Sequence, residues 1–320
     1  MKQTPRFVLA VSLVPLLGLL SCNRSTKRQI AVIPMGRSHV YWQSAHAGAV
    51  KASREENVEI LWDGPPSEMD FSGQLQIVEN MINRHIDAIC LAPIDRKALA
   101  TVVDRAAQQQ IPVIIWDSPV DTQSFVAQIA TDNYAAGQLA GDRMGTILHG
   151  SGKVVEVASQ PGSASSVARE QGFEDKLKQS YPGIRIADKR YGMANFAQSL
   201  AVAENMLTAF PDADGMFGSN ETGTVGAARA VKGRSSHVKL VGFDSSAPLI
   251  EGLREGSIDS LVTQNPFEMG YKAVKAAIMK LNGGTPQRIQ TLPAVVVTRE
   301  NLNDPVIHAR LFPDLDAYLK

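Results

Sequence analysis

Cysteine is scarce in this chain: there are two in 320 residues, Cys22 and Cys90. That scarcity excludes a small disulfide-stapled fold. No disulfide is expected, and Cys90, in the apolar run AICLAP, reads as a buried, inert thiol. A surplus of either charge is also missing, with 32 Lys and Arg against 32 Asp and Glu. Without a basic excess, a charge run or a low-complexity tract, nothing points to a nucleic-acid partner. Catalytic signatures are lacking as well. There is no GxSxG, HExxH or GxGxxG and no paired-cysteine spacing for a metal. The segment HGSGK at 149–153 lacks the Walker spacing and reads as a turn before a strand. The six histidines, at positions 39, 46, 85, 149, 237 and 308, form no ligand pair at helical spacing. The chain is therefore not expected to be an enzyme or to hold a metal or cofactor.

The apolar stretch 7–20 is too short for a comfortable membrane span. Preceded by Lys2 and Arg6, it has the layout of a secretory signal, so residues 1–21 are set aside from fold reasoning. The junction Leu19-Leu20-Ser21-Cys22 resembles a bacterial lipobox, in which cleavage precedes the cysteine and the thiol is acylated. Ordinary cleavage after a small residue is the alternative. Removal of 1–21 takes two bases and no acids, which leaves a mildly acidic mature chain. With lipid on Cys22, residues 22–28 become a polar tether and the anchor is acyl chain rather than spanning helix.

What is present is a large, regularly patterned remainder. At 44% hydrophobic content it can bury more than one hydrophobic centre organises, which implies two lobes. Strands are expected at 30–35, 58–62, 88–92 and 111–116, with helices over 41–56, 71–84 and 96–109 between them. A further apolar run at 125–129 leads into a helix over 134–148. Strands at 153–158, 185–190, 215–218 and 238–243 then alternate with helices over 165–180, 197–210 and 222–231. A strand at 258–262, a helix over 270–281 and a run at 293–297 follow. This alternation implies right-handed βαβ units, and so an α/β protein with two doubly wound parallel-sheet lobes.

The stretch IPVIIWDSPVDTQSFVAQIATDNYAAGQLAG, 111–141, joins a ligand contact to a crossing. Its first strand ends in Asp117, and in open α/β sheets ligands gather beyond the carboxyl ends of strands. A helix or turn cap is the plainer reading of that carboxylate. IPVIIWD followed by IATDNYAAGQLAG resembles the ribose-binding branch of bacterial periplasmic sugar-binding proteins, the receptors of ABC importers. The similarity runs from about residue 30 to about residue 297. It implies the type I binding-protein fold, shared with lac-repressor-type effector domains, in which three crossings form a hinge. The implied division is 29–131 plus 265–292 for the first lobe and 132–264 plus 293–300 for the second. Residues 301–320 are an extension without an assigned role.

The candidate ligand residues end strands or open helices. Tyr41 and Trp42 offer flat faces for a sugar ring, with core packing as the alternative. The family has two aromatics here, and His39 falls where it uses a polar contact. Arg169, in SASSVAREQGF, resembles the family's sugar-binding arginine; a surface ion pair is the alternative. Asn220 in MFGSNE suits a polyol through its amide and equally suits a helix N-cap. Asp244, in LVGFDSS, repeats the strand-end carboxylate, and Gln264 lies in VTQNP at a crossing. Where the family places a further aromatic, this chain has Ala194, flanked by Met193 and Phe196; either flanking residue is a candidate substitute, and the alternative is a ligand ring held from one side only. Met35 and Arg37 also depart from the family's loop. Asp117 and Asp244 against Arg169 favour a neutral or cationic ligand, whereas Arg37 and His39 in the cleft would admit an acidic sugar.

The resemblance implies a monomeric, extracytoplasmic substrate-binding lipoprotein that delivers a monosaccharide or related polyol to an ABC permease by hinge closure. A sensory receptor signalling to a membrane kinase or chemoreceptor would need the same cleft and hinge. A lac-repressor-type regulator would need a DNA-binding segment where this chain has its leader.

Overall fold

The computed structural model describes residues 27–37 and 39–320. The leader and Cys22 lie outside the described residues. The first half runs β1 (Gln29–Ile33), α1 (Val40–Glu56), β2 (Glu59–Trp62), α2 (Phe71–Asn83), β3 (Ala88–Leu91), α3 (Ala100–Gln108), β4 (Val113–Trp116) and β5 (Ala127–Thr131). It continues through α4 (Asn133–Ile147), β6 (Ser151–Ala158), α5 (Ala164–Ser180), β7 (Gly183–Tyr191), α6 (Phe196–Ala209), β8 (Gly215–Gly218), α7 (Glu221–Gly233) and β9 (Lys239–Phe243). The remainder is α8 (Ala247–Glu255), β10 (Ser260–Thr263), α9 (Pro266–Leu281), β11 (Ile289–Leu292), β12 (Val295–Thr298), α10 (Pro305–Leu311) and α11 (Asp316–Leu319).

Two six-stranded sheets result, ordered β11-β5-β4-β3-β1-β2 and β12-β10-β9-β8-β6-β7. Every pairing is parallel except β10 with β12. The central strands AICL, VIIW and GMFG are buried at every position, as strands covered by helices on both faces must be. The two sheets thus belong to an α/β fold of two parallel-sheet lobes. The chain passes between them three times: after β5, after β10 and between β11 and β12.

The departures from the sequence pattern have local causes. α3 begins four residues later than its periodicity suggests, because the Asp95 carboxylate accepts from the N–H groups of Lys97 and Ala98 and holds a turn there. α9 begins four residues earlier, because Asn265 caps it through the Glu268 N–H with Pro266 at its first position. α8, β11, α10 and α11 lie outside the expected elements, although α8 buries Leu249, Ile250 and Leu253 at helical spacing.

Close helix pairs hold each lobe. In the second lobe α4 and α5 cross so tightly that a β-carbon on Gly137 would lie 1.9 Å from the Arg169 carbonyl oxygen. In the first lobe all three tryptophans cluster, Trp42 edge-on to Trp116 at 5.5 Å and Trp62 tilted against Trp116 at 6.3 Å. The C-terminal segment spans both lobes. Ile307 and Leu311 of α10 pack on the second lobe's core, and Arg310 Nη1 donates to the Pro293 carbonyl at 3.0 Å. α11 reaches the first lobe, where Arg54 of α1 donates to the carbonyls of Ala317 (2.7 Å) and Tyr318 (3.1 Å).

Candidate functional site

Asp117 is the residue after β4, with φ 64°, and Asp244 the residue after β9, with φ 67°. Both carboxylates line one cavity between the lobes. From the first lobe, Tyr41 and Trp42 enter together at the start of α1, edge-on to one another with ring centroids 4.8 Å apart. Both line the cavity, and Trp42 is also part of the first lobe's core. The Tyr41 hydroxyl donates to the Asp117 carboxylate. Trp42 Nε1 donates to Glu68 Oε1 at 2.8 Å.

Arg169 comes from α5 and is buried. Its Nη1 donates to the Ser219 carbonyl (2.5 Å), its Nη2 to Asn133 Oδ1 (2.8 Å), and its guanidinium lies 3.4 Å over the Phe243 ring. This is a desolvated cation held on three sides, and the surface ion-pair alternative does not apply. Nε alone lacks a partner. The next residue, Glu170, accepts from Ser159 N–H (3.0 Å) and the Ser219 hydroxyl (2.9 Å) while Lys189 Nζ sits 3.0 Å from its other oxygen. So in the run ARE the arginine serves the cavity and the glutamate fixes two of the loops around it.

Asn220 caps α7 through the Gly223 N–H (3.0 Å) and also lines the cavity, so cap and wall are one residue. Gln264, beyond β10, donates to Asp244 Oδ1 at 2.7 Å and leaves its own Oε1 buried without a partner. His39 stands between two acids, with Nε2 3.7 Å from Glu68 and Nδ1 3.6 Å from Glu221. The lobes also meet where Gln160 donates to the Glu68 carbonyl (3.2 Å) and the Ser165 N–H donates to the Ser118 hydroxyl (3.3 Å). The cavity is therefore walled from both lobes.

Three candidates, Arg37, Met193 and Phe196, fall outside this wall. Arg37 is exposed, and its guanidinium lies 3.9 Å from Asp63 instead of in the cavity. Phe196 opens α6 with 44% of its surface exposed, because Met193 and Ala194 both take left-handed backbone and turn the chain away before Asn195 caps the helix. Among the described residues, the aromatic rings lining the cavity are those of the first lobe. Sequence reasoning missed Glu68, Glu221, Thr222 and the serines 159, 163, 165 and 166, and noted Met35 only as a departure from the family's loop. Glu221 had a signal, since it follows Asn220 at a helix start facing the same cleft. Glu68, in the loop PPSEMD, had none.

The charge balance changes accordingly. Four carboxylates line the cavity, Glu68, Asp117, Glu221 and Asp244. Burial pushes Asp117 up to about 6 against the opposing pull of the Tyr41 hydroxyl and Arg169, and pushes Glu221 up to about 7 against His39. It raises Glu68 and Asp244 as well, opposed chiefly by His39 and by Arg169 respectively. The acidic-sugar expectation loses its basis, because Arg37 is outside and His39 is already flanked by two acids.

Residues 30–285 match the family model described as periplasmic binding protein domain. The chain is 24% identical over 260 residues to a ribose import binding protein of Bacillus subtilis, covering 81% of this chain and 84% of that one. A carbohydrate transporter solute binding protein from Agrobacterium radiobacter, solved in complex with D-arabinose, superposes with a TM-score of 0.87 at 32% identity, covering 89% of this chain and 99% of its own. An ABC transporter solute binding protein from Agrobacterium vitis with bound D-fucose gives 0.86 at 32% identity, covering 89% and 100%.

Proposed function

The chain belongs to the periplasmic binding protein domain family, and on that footing we propose that it is the substrate-binding component of a sugar ABC importer. It takes a monosaccharide or related polyol into the cavity between its lobes and presents the closed form to a membrane permease. The observation that carries this reading is the wall itself. Hydrogen-bonding groups converge from both lobes on one aromatic-floored space, so an occupant would bridge the lobes and favour the closed arrangement over any open one. In this reading Asp117, Arg169, Asn220, Asp244 and Gln264 hold hydroxyls, Tyr41 and Trp42 face the ring, and His39 bounds the mouth. The lobes are 29–131 plus 265–292 and 132–264 plus 293–300. Nothing is chemically converted.

The similar proteins named above are import and transport proteins, which favours delivery to a permease over signalling to a kinase. The reading includes a lipid anchor at Cys22, cleavage of residues 1–21, an extracytoplasmic location and a monomeric working state. A thermal-shift panel of pentoses, hexoses and polyols tests it. A ligand at a hundred times its dissociation constant stabilises the folded state by about 2.7 kcal/mol. A raised unfolding midpoint with a sugar is the expected result; no shift across the panel would sink the proposal.

A further inference from the structure

The wall of the cavity is short of positive charge. Its four carboxylates face one guanidinium and one imidazole. One N–H on each Nη of Arg169 is committed, to the Ser219 carbonyl and to Asn133 Oδ1. His39 lies beyond hydrogen-bond length from both of its acids. Two buried acceptors on the wall have no partner, Glu221 Oε2 and Gln264 Oε1. Gln264 is 6% exposed, and its amide nitrogen is spent on Asp244, so its oxygen can only be satisfied by a donor arriving from outside. Against these, Arg169 Nε is the one wall side-chain donor that is buried without a partner. A neutral sugar brings hydroxyls that donate and accept in equal measure. An ammonium group brings three donors and no acceptor, together with the missing charge.

We infer that the occupant is an amino sugar or amino polyol, its ammonium group lying on the Glu68–Glu221 side of the cavity and its hydroxyls on the Asp117–Arg169–Asn220 side. This rests on the sugar-binding reading above and narrows it. Buried carboxylates are tolerated when they are paired or protonated. The upward shifts at Asp117 and Glu221, to about 6 and about 7, follow from burial that the neighbouring protein charges only partly offset. An ammonium ligand supplies the pair. It also ties Glu68 of the first lobe to Glu221 of the second, which favours closure.

Titration calorimetry of the full chain at pH 7 tests the inference with D-glucosamine, D-galactosamine and D-mannosamine. Each is set against its neutral parent hexose and its uncharged N-acetyl form, with D-ribose added. At least one amino sugar is expected to bind tenfold or more tightly than its parent and its N-acetyl form. Glu221→Gln and Glu68→Gln, which keep side-chain shape, are expected to shrink that ratio at least tenfold, with unfolding midpoints confirming that both variants fold. A neutral sugar binding more tightly than every amino sugar would overturn the charge inference and leave sugar binding standing. A preference for the amino form that survives in both variants would overturn the placement of the ammonium. No binding by any member of the panel would overturn this inference and the sugar-binding reading together.

Discussion

Asp117 and Asp244 are equivalent residues of two separate sheets. Each follows a buried parallel strand, each holds the left-handed backbone conformation, and each donates its N–H to the neighbouring strand, Asp117 to the Ile129 carbonyl at 2.9 Å and Asp244 to the Val262 carbonyl at 2.8 Å. The strand's last hydrogen bond and the turn that ends it together aim the carboxylate into the cleft. The same local device, used once per lobe, gives the cavity its two opposed acids.

That geometry makes Asn the informative substitution. Asn tolerates left-handed backbone where Ala is strained. Asp244→Asn is expected to weaken ligand binding at least tenfold with an unfolding midpoint near that of the wild type, while Asp244→Ala loses both affinity and stability. Arg169→Ala should also lose both, since it strands the Ser219 carbonyl and empties the space over Phe243. Calorimetry paired with thermal unfolding checks this; wild-type affinity in Asp244→Asn would remove Asp244 from the site.

The raised Asp117 carboxyl implies a pH dependence with a definite sign. The groups facing it are Tyr41, Arg169, Glu68 and Asp244. Because the folded protein holds this proton up to about pH 6 and the unfolded chain only to about 3.8, the folded state binds more protons between those values. Stability from this group is therefore lost as pH rises through that window, by about 3 kcal/mol in all. Asp117→Asn cannot ionise, so its unfolding midpoint should gain on that of the wild type between pH 4 and pH 7 in the absence of ligand. Parallel curves would show that the carboxyl is not shifted.

Gly137 is a packing test of the site's support. A methyl group there meets the Arg169 carbonyl at 1.9 Å, so α5 must move. Gly137→Ala is expected to cost roughly 1–3 kcal/mol in urea unfolding. Because the displaced backbone is that of Arg169, affinity should fall too; a destabilised variant with wild-type affinity would show that the arginine's position tolerates the shift.

The C-terminal segment ties the second lobe to the first through Arg54, Ala317 and Tyr318, with the Tyr318 ring 5.6 Å from that of Phe267. Ending the chain at Leu311 keeps α10 on its core and releases the tie. Ligand dissociation is expected to speed up by roughly threefold to tenfold as opening becomes easier. Stopped-flow tryptophan emission would report it, since Trp42 lines the cavity. An unchanged rate would make the segment a passive cover.

Cys22→Ser should move the protein from the membrane to the soluble fraction, because no other anchor is proposed and, among the described residues, no helix is long and apolar enough to cross a membrane. Retention in the membrane fraction would refute acylation at Cys22.

Much of this was legible in the chain. Alternating apolar runs of strand and helix length specify βαβ units, because each segment's periodicity records which of its own faces is buried. Strand-end carboxylates point to the site because parallel sheets place ligands there. That logic singled out Asp117, Asn220 and Asp244, the family motif supported Asp244 and added Arg169, and Gln264 lay at a crossing; all five line the cavity. It could not find Glu68, a loop residue with no periodicity, or exclude Phe196, whose direction depends on the left-handed turn at Met193 and Ala194. Nor could it see that Arg169 is tied to Ser219 and Asn133, or that residues 305–319 cross between the lobes. The sequence by itself determined the elements, their parallel pairing and the carboxylates that end two strands. Tertiary structure alone decided the cavity's charge, because its walls are the ends of segments far apart in sequence, and which side chains meet there depends on how two lobes close on each other.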